Sequence, residues 1–117
     1  MKYFFDTYAI IEIIGNNNSY EKYKDEEIVT SILNVGELYY SLLREKGEKE
    51  ADFWHKKLEQ TAMLIDIEIV VKAMKFRFEN KSKKFSFIDC VVYVLAKDKG
   101  LKFLTGDQAF ENLEFVK

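Results

Sequence analysis

The chain has 117 residues, 48% of them hydrophobic and 15% aromatic, enough to bury the core of one globular domain. A net charge of -2 excludes a protein that coats nucleic acid by bulk positive charge and leaves only a local basic patch for such contacts. The one cysteine, Cys90, excludes an internal disulfide framework and fits a reducing cytoplasm, and no segment is apolar for long enough to span a bilayer.

Asp6 and Glu12 interrupt the N-terminal apolar stretch, so it does not read as a secretory leader. There is no proline and there are only five glycines, so no linker divides the chain, and residues 1–117 read as a single domain.

The first predicted element is a strand, Lys2 to Thr7, with the aromatic run Tyr3-Phe4-Phe5. An unbroken run of this kind suits a strand buried on both faces of a parallel sheet. It ends at Asp6, where ligands bind in open α/β sheets. Thr7 to Ile14 predicts a short helix with Ile10, Ile11, Ile13 and Ile14 as its apolar face, ended by Gly15 and the turn Asn16-Asn17-Asn18. Ser19 to Lys24 adds a helical turn or two, and Glu27 to Thr30 reads as a second strand.

Ser31 to Lys46 predicts a long helix through Ile32, Val35, Tyr39, Leu42 and Leu43, stopped by Gly47. Glu48 to Gln60 follows as an antiparallel partner with Ala51, Trp54 and Leu58 on one stripe. Ala62 to Ile65 reads as a third strand, and Asp66 caps a helix towards Asn80 through Ile69, Val70, Ala73 and Met74. A basic loop, Lys81 to Phe85, leads to Ser86, which caps the helix Phe87 to Lys99. Lys102-Phe103-Leu104 and Glu114-Phe115-Val116 complete the strands. Strands alternating with helices predict an α/β fold with a mainly parallel central sheet and helices on both faces.

Four acids fall where such a sheet gathers its strand ends and helix starts: Asp6, Glu37, Asp89 and Asp107. Each has a plain structural reading as well. Asp89 lies three residues after Ser86, as in a capping box. Glu37 fits a solvent-facing helix position, although no other charge lies between Thr30 and Leu43; Gly36 beside it suits a close backbone approach. Asp107 is a natural turn residue. Asp6 closes a buried strand and has no cationic neighbour nearer than Lys2, so it needs a partner. Together the four carboxylates repel unless a cation neutralises them, and an oxygen-only donor set points to Mg²⁺ or Mn²⁺. The chemistry that fits is metal-assisted phosphodiester hydrolysis.

Four blocks, Phe5-Asp6-Thr7, Leu33 to Leu38, Phe85 to Asp89 and Leu104 to Phe110, resemble in order the signature blocks of PIN-domain ribonucleases, over nearly the whole chain. The small layout most resembles the VapC-type toxins of toxin–antitoxin pairs. The resemblance implies a PIN-like three-layer sandwich and Mg²⁺- or Mn²⁺-dependent endonuclease activity on RNA, with Asp6, Glu37, Asp89 and Asp107 as catalytic and metal-binding acids. It also implies a homodimer, a small protein antitoxin and a hydroxyl near the metal site at Thr105. The sequence departs from the family in two places: Ser86 stands near where a second acid is frequent, and Gly106 where a larger polar residue is common.

Lys81, Lys83 and Lys84 enter the helix that carries Asp89 and read either as RNA phosphate contacts or as a solvated loop. Phe85 and Phe87 offer base stacking or core packing. His55 reads as a surface residue, Cys90 as a buried thiol, and one of Phe53 and Trp54 as an interface residue. Four other functions compete. A receiver-like regulator needs paired acids after the first strand, where this chain has only Asp6; a haloacid-dehalogenase-type phosphatase needs an aspartate where Tyr8 stands. A PIN-like binding module without catalysis, or a housekeeping RNA-processing nuclease, is the remaining alternative.

Overall fold

A computed structural model describes residues 2–111 and 113. Strand β1 (Tyr3–Phe5) pairs in parallel with β2 (Lys102–Leu104), Phe4 opposite Phe103. The helices are α1 (Thr7–Ile14), α2 (Ile32–Glu45), α3 (Glu48–Glu59), α4 (Ile67–Glu79) and α5 (Phe87–Asp98), with single 3₁₀ turns at Asn18–Tyr23, Lys81–Lys83 and Gln108–Phe110. The last predicted strand, Glu114 to Val116, lies outside the described residues.

The two middle predicted strands are reduced to single parallel bridges, Phe4 to Val29 and Ser31 to Met63. Backbone bonds still run across them, from Phe5 N–H to the Val29 carbonyl (2.8 Å) and from Met63 N–H to the Thr30 carbonyl (2.9 Å). They stay short because each turns almost at once into a helix, capped by Ser31 for α2 and by Asp66 for α4. The spatial order is therefore β2, β1, the Val29 segment and the Met63 segment, all parallel.

Alternation along the strands divides the core. Phe4 and Phe103 face α4 and α5, where Phe85, Tyr93 and Phe110 join them; Phe5 and Leu104 face α1, α2 and α3. Helices on both faces of a small parallel sheet give the predicted α/β sandwich. The predicted α2 face holds in part: Leu42 is buried and Val35 and Tyr39 pack against the core, whereas Ile32 and Leu43 are exposed and Asn34 and Leu38 are buried instead. Ile11, predicted on the apolar face of α1, is likewise exposed. The expected close approach at Gly36 is absent, since a Cβ there would meet nothing within 4 Å. Gly47, at φ +96°, makes the corner between α2 and α3, a conformation in which a side chain is strained.

The α2 phase gives a direct test. Leu38→Ala should destabilise the fold by about 2–5 kcal/mol, the usual cost of emptying a core leucine site. Leu43→Ala, at a position 41% exposed, should stay under about 1 kcal/mol. Chemical denaturation of the two variants measures both, and the reverse ranking would refute this helix phase.

Candidate active site

Asp6 follows β1 and caps α1 from an extended conformation, so its side chain leaves the sheet at the strand's carboxyl end. It is 8% exposed. The partner that the sequence left open is a set of neutral donors. The Thr105 hydroxyl donates to Asp6 Oδ2 at 2.8 Å, and the Asn34 amide donates to Oδ1 at 3.4 Å. Asn34 also donates to the Thr7 hydroxyl at 3.0 Å, and Thr7 donates in turn to Glu37 Oε1 at 2.8 Å. The Ser31 hydroxyl, which caps α2, donates to Asn34 Oδ1 at 2.6 Å and so fixes which way the amide points. One chain of hydrogen bonds thus runs from the α2 cap through Asn34 to Asp6 and Glu37.

Asp89 holds the other side. The capping-box reading holds. Its Oδ2 accepts from Ser86 N–H at 3.0 Å, and its own N–H donates to the Ser86 hydroxyl at 3.0 Å, a complete capping box. It also lines, with Asp6 and Glu37, an open cleft of about 370 Å³. Three of the four predicted acids therefore converge.

Asp107 does not line this cleft. Its Oδ1 accepts from Ala109 N–H at 3.0 Å and caps the last 3₁₀ turn, as the turn reading expected. It reaches the site through its backbone, whose N–H donates to the Thr105 hydroxyl at 3.1 Å. Thr105 is placed as expected, buried against Asp6. Lys81, Lys83 and Lys84 are exposed on the loop leading to Ser86, with Lys81 over the Phe78 ring, and none of them lines the cleft. Of the two phenylalanines beside them, Phe85 is core and Phe87 is exposed. His55 pairs with Glu59 on the surface, Cys90 is buried, and of Phe53 and Trp54 it is Phe53 that is exposed.

Sequence reading missed Asn34, Ser31 and Thr7. A signal was present for Asn34: with Leu38 and Leu42 it shares the i, i+4, i+8 spacing of one helix face, where a polar side chain needs a buried partner.

The electrostatics follow from burial. Burial raises the Asp6 carboxyl from its ordinary 3.8 to about 6; the Thr105 hydroxyl and the Thr7 backbone oppose this, and Asp89 and Glu37 add to it. Glu37 is also raised, by burial first and by Asp89 after the opposing Thr7 bond. Among the described residues no lysine or arginine pairs with Asp6, Glu37 or Asp89. Such an oxygen-only, uncompensated set suits a hard divalent cation. Among the described residues no three acidic, imidazole or thiol groups are arranged to hold an ion directly. A hydrated ion that keeps several of its waters, the habit of Mg²⁺, fits these residues best.

The chain matches the PIN domain family model over residues 3–116. No curated protein matches it. Among solved structures, a toxin–antitoxin complex from Klebsiella pneumoniae superposes with a TM-score of 0.77 at 15% identity, covering 99% of this chain and 96% of the other. The sarcin–ricin loop cleaving toxin VapC20 from Mycobacterium tuberculosis superposes with a TM-score of 0.79 at 18% identity, covering 98% and 97%. The chain belongs to the PIN-domain family. Its fold is that of VapC20.

The raised Asp6 carboxyl makes stability depend on pH. A group whose pKa is higher folded than unfolded favours the fold while protonated, and that contribution is lost as pH rises through about 6. In EDTA, the parent should lose on the order of 2–3 kcal/mol between about pH 4 and pH 7 relative to Asp6→Asn. Urea unfolding of both proteins across that range measures the difference. A constant difference would mean that Asp6 is not held in a desolvated, acid-rich site.

Proposed function

We propose that the protein is a Mg²⁺- or Mn²⁺-dependent endoribonuclease and the toxin of a toxin–antitoxin pair, acting in the cytoplasm as one domain over residues 1–117. The observation that carries this reading is the convergence of Asp6, Glu37 and Asp89 on one open cleft without a counter-charge. Family membership supports nuclease chemistry, and the two structural relatives support the toxin role by what they are named.

Asp6, Glu37 and Asp89 would hold the ion, in part through water. When bound, the ion supplies Lewis acidity and neutralises charge on the phosphate. The chain's own residues set the geometry. Thr105 and Asn34 keep the Asp6 carboxylate turned to the cleft, Thr7 keeps Glu37 beside it, and the capping box fixes Asp89. Asp107 serves by holding Thr105 in place, and Lys81, Lys83 and Lys84 attract the RNA backbone from the approach to Asp89.

Two protein partners belong to this reading. Arg or Lys from a small antitoxin would occupy the acidic cleft, because a guanidinium can bind two carboxylate oxygens at once. A second copy of the chain would cover the outer side of α4, where Ile67, Val71 and Phe78 are exposed next to Val70 and Met74. Among the described residues no helix is long and apolar enough to cross a membrane.

Asp6→Asn and Asp89→Asn should each abolish cleavage of mixed RNAs in Mg²⁺ or Mn²⁺, as EDTA should for the parent, while Asp107→Asn retains part of the activity. Full activity in Asp6→Asn or Asp89→Asn would refute the site. Metal binding should also appear in thermal melts. At roughly a hundredfold excess over its dissociation constant, an ion that binds only the folded state adds about 2.7 kcal/mol. The Asp6→Asn, Asp89→Asn double variant should lose most of that response at constant ionic strength, and an equal response would place the ion elsewhere.

The surface of α4 gives a third test. Val71→Asp with Phe78→Asp should turn a dimer into a monomer in sedimentation at unchanged fold. An unaltered dimer would move the interface to another face.

A further inference from the structure

Two aromatic rings stand in the acidic cleft with no core to fill. Tyr8, in the first turn of α1 and two residues from Asp6, is 44% exposed. Tyr40, on α2 and one turn beyond Glu37, is 63% exposed. Both line the same cleft as the three acids. Packing within the chain does not explain rings this size at such exposure.

The seat of Tyr8 is built by Gly106. A Cβ at that position would lie 2.8 Å from Tyr8 Cζ, closer still to Tyr8 Cε1, and 2.7 Å from the Tyr20 hydroxyl. Any side chain at 106 would push the Tyr8 ring away. Its absence lets Tyr8 lie against the turn after β2, with Tyr20 beside it. Across the cleft the Arg44 guanidinium sits 5.3 Å from the centre of the Tyr40 ring, a cation held over an aromatic face.

We infer that Tyr8, seated on Gly106, is a base-stacking platform that positions an unpaired nucleobase next to the phosphate drawn to the ion at the three acids, with Tyr40 and Arg44 forming the opposite wall. The inference rests on the ribonuclease reading. A base lies one sugar away from its own phosphate, so a ring two residues from Asp6 is within reach of the nucleotide at the reaction centre. Stacking on an aromatic face tolerates any base but requires it to be unstacked from its neighbours. Tyr8 is thus a positioning residue, and the same reasoning accounts for glycine at 106.

The test pairs the ring with the base. Short single-stranded RNAs carry one abasic site, walked along the sequence, and their cleavage by the parent and by Tyr8→Ala is measured in Mg²⁺. At one position next to the cut, the abasic site should raise KM for the parent about tenfold, and Tyr8→Ala should do the same on intact RNA. Combining the two should cost no more than either alone, because both remove the same contact. Tyr8→Phe and Tyr8→Trp should restore KM, and Gly106→Ala should reproduce part of the loss. With Ca²⁺ in place of Mg²⁺, 2-aminopurine at the same RNA position should be quenched by the parent and not by Tyr8→Ala.

Losses that multiply, or a parental KM in Tyr8→Ala, would overturn the platform and leave the nuclease standing. Loss of inhibition by a co-expressed partner, with RNA kinetics unchanged, would assign Tyr8 to a protein contact and also overturn it. Tyr8-dependent quenching without cleavage of any RNA would keep the platform and overturn the nuclease reading. No binding and no cleavage would overturn both.

Discussion

A carboxylate enclosed at the end of a buried strand, with hydrogen bonds but no counter-charge, is the constraint on which the rest of this molecule depends. Asp6 could have been satisfied by a lysine or arginine, which would have fixed its charge and closed the site. The chain offers it a threonine hydroxyl and an asparagine amide instead. Neutral donors orient the oxygens without cancelling the negative charge. The cleft is therefore left with uncompensated negative charge, and its surroundings share the cost: Asn34 on α2 and the cap residue Ser31 take up buried positions, and Thr30 uses its hydroxyl to hold the Phe5 carbonyl at 2.8 Å. Buried polar groups of this kind stabilise only when every member is paired, and among the described residues no buried side-chain polar atom lacks a partner.

The Asp89 capping box shows that starting a helix need not remove a carboxylate from a cleft. A carboxylate has two oxygens. One is spent on Ser86 N–H, which starts α5 and fixes the side chain's rotamer. A freely rotating acid would have to be ordered before it could hold anything; this one is already ordered by the helix it begins. Asp107 is itself a cap, accepting from the N–H two residues on, and it turns its backbone, not its carboxylate, towards the site. An acid inside the first turn thus stands in the cleft, and one at the cap position stands outside it.

The sandwich was legible in the sequence because its signals are strong and local. Aromatic runs marked β1 and β2, Asp66 and Ser86 marked helix starts, and the buried faces of α3, α4 and α5 followed their apolar spacing. The middle strands were less legible, since a strand reduced to one bridge still shows the composition of a strand. The face of α2 was legible only in part, at Val35, Tyr39 and Leu42, for a physical reason. Its inner face carries Asn34, and apolar spacing steers towards Ile32 and Leu43, which lie outside. The acids at Asp6, Glu37 and Asp89 could be named because strand ends and helix starts share one edge of a parallel sheet, and the resemblance added their order. Their supporting shell could not, because whether Thr7 or Asn34 touches a carboxylate depends on how α2 packs, not on spacing along the chain. Gly106 could be seen only as a departure until the positions of Tyr8 and Tyr20 showed what occupies the space.

The pairing of β1 with β2 has a consequence in time as well as in space. The hydrogen bond from Thr105 to Asp6 joins residues 99 positions apart, and the two strands are neighbours in the sheet although nearly the whole chain separates them. Contacts of such range form late, after the entropy of closing a long loop has been met. On the ribosome the first strand must wait, its aromatic edge uncovered, until the segment around Phe103 has emerged. One of the two side chains that orient the Asp6 carboxylate is thus made 99 residues after the acid itself. If the cleft cuts RNA, synthesis itself delays the moment at which a new chain can act on the RNA around it.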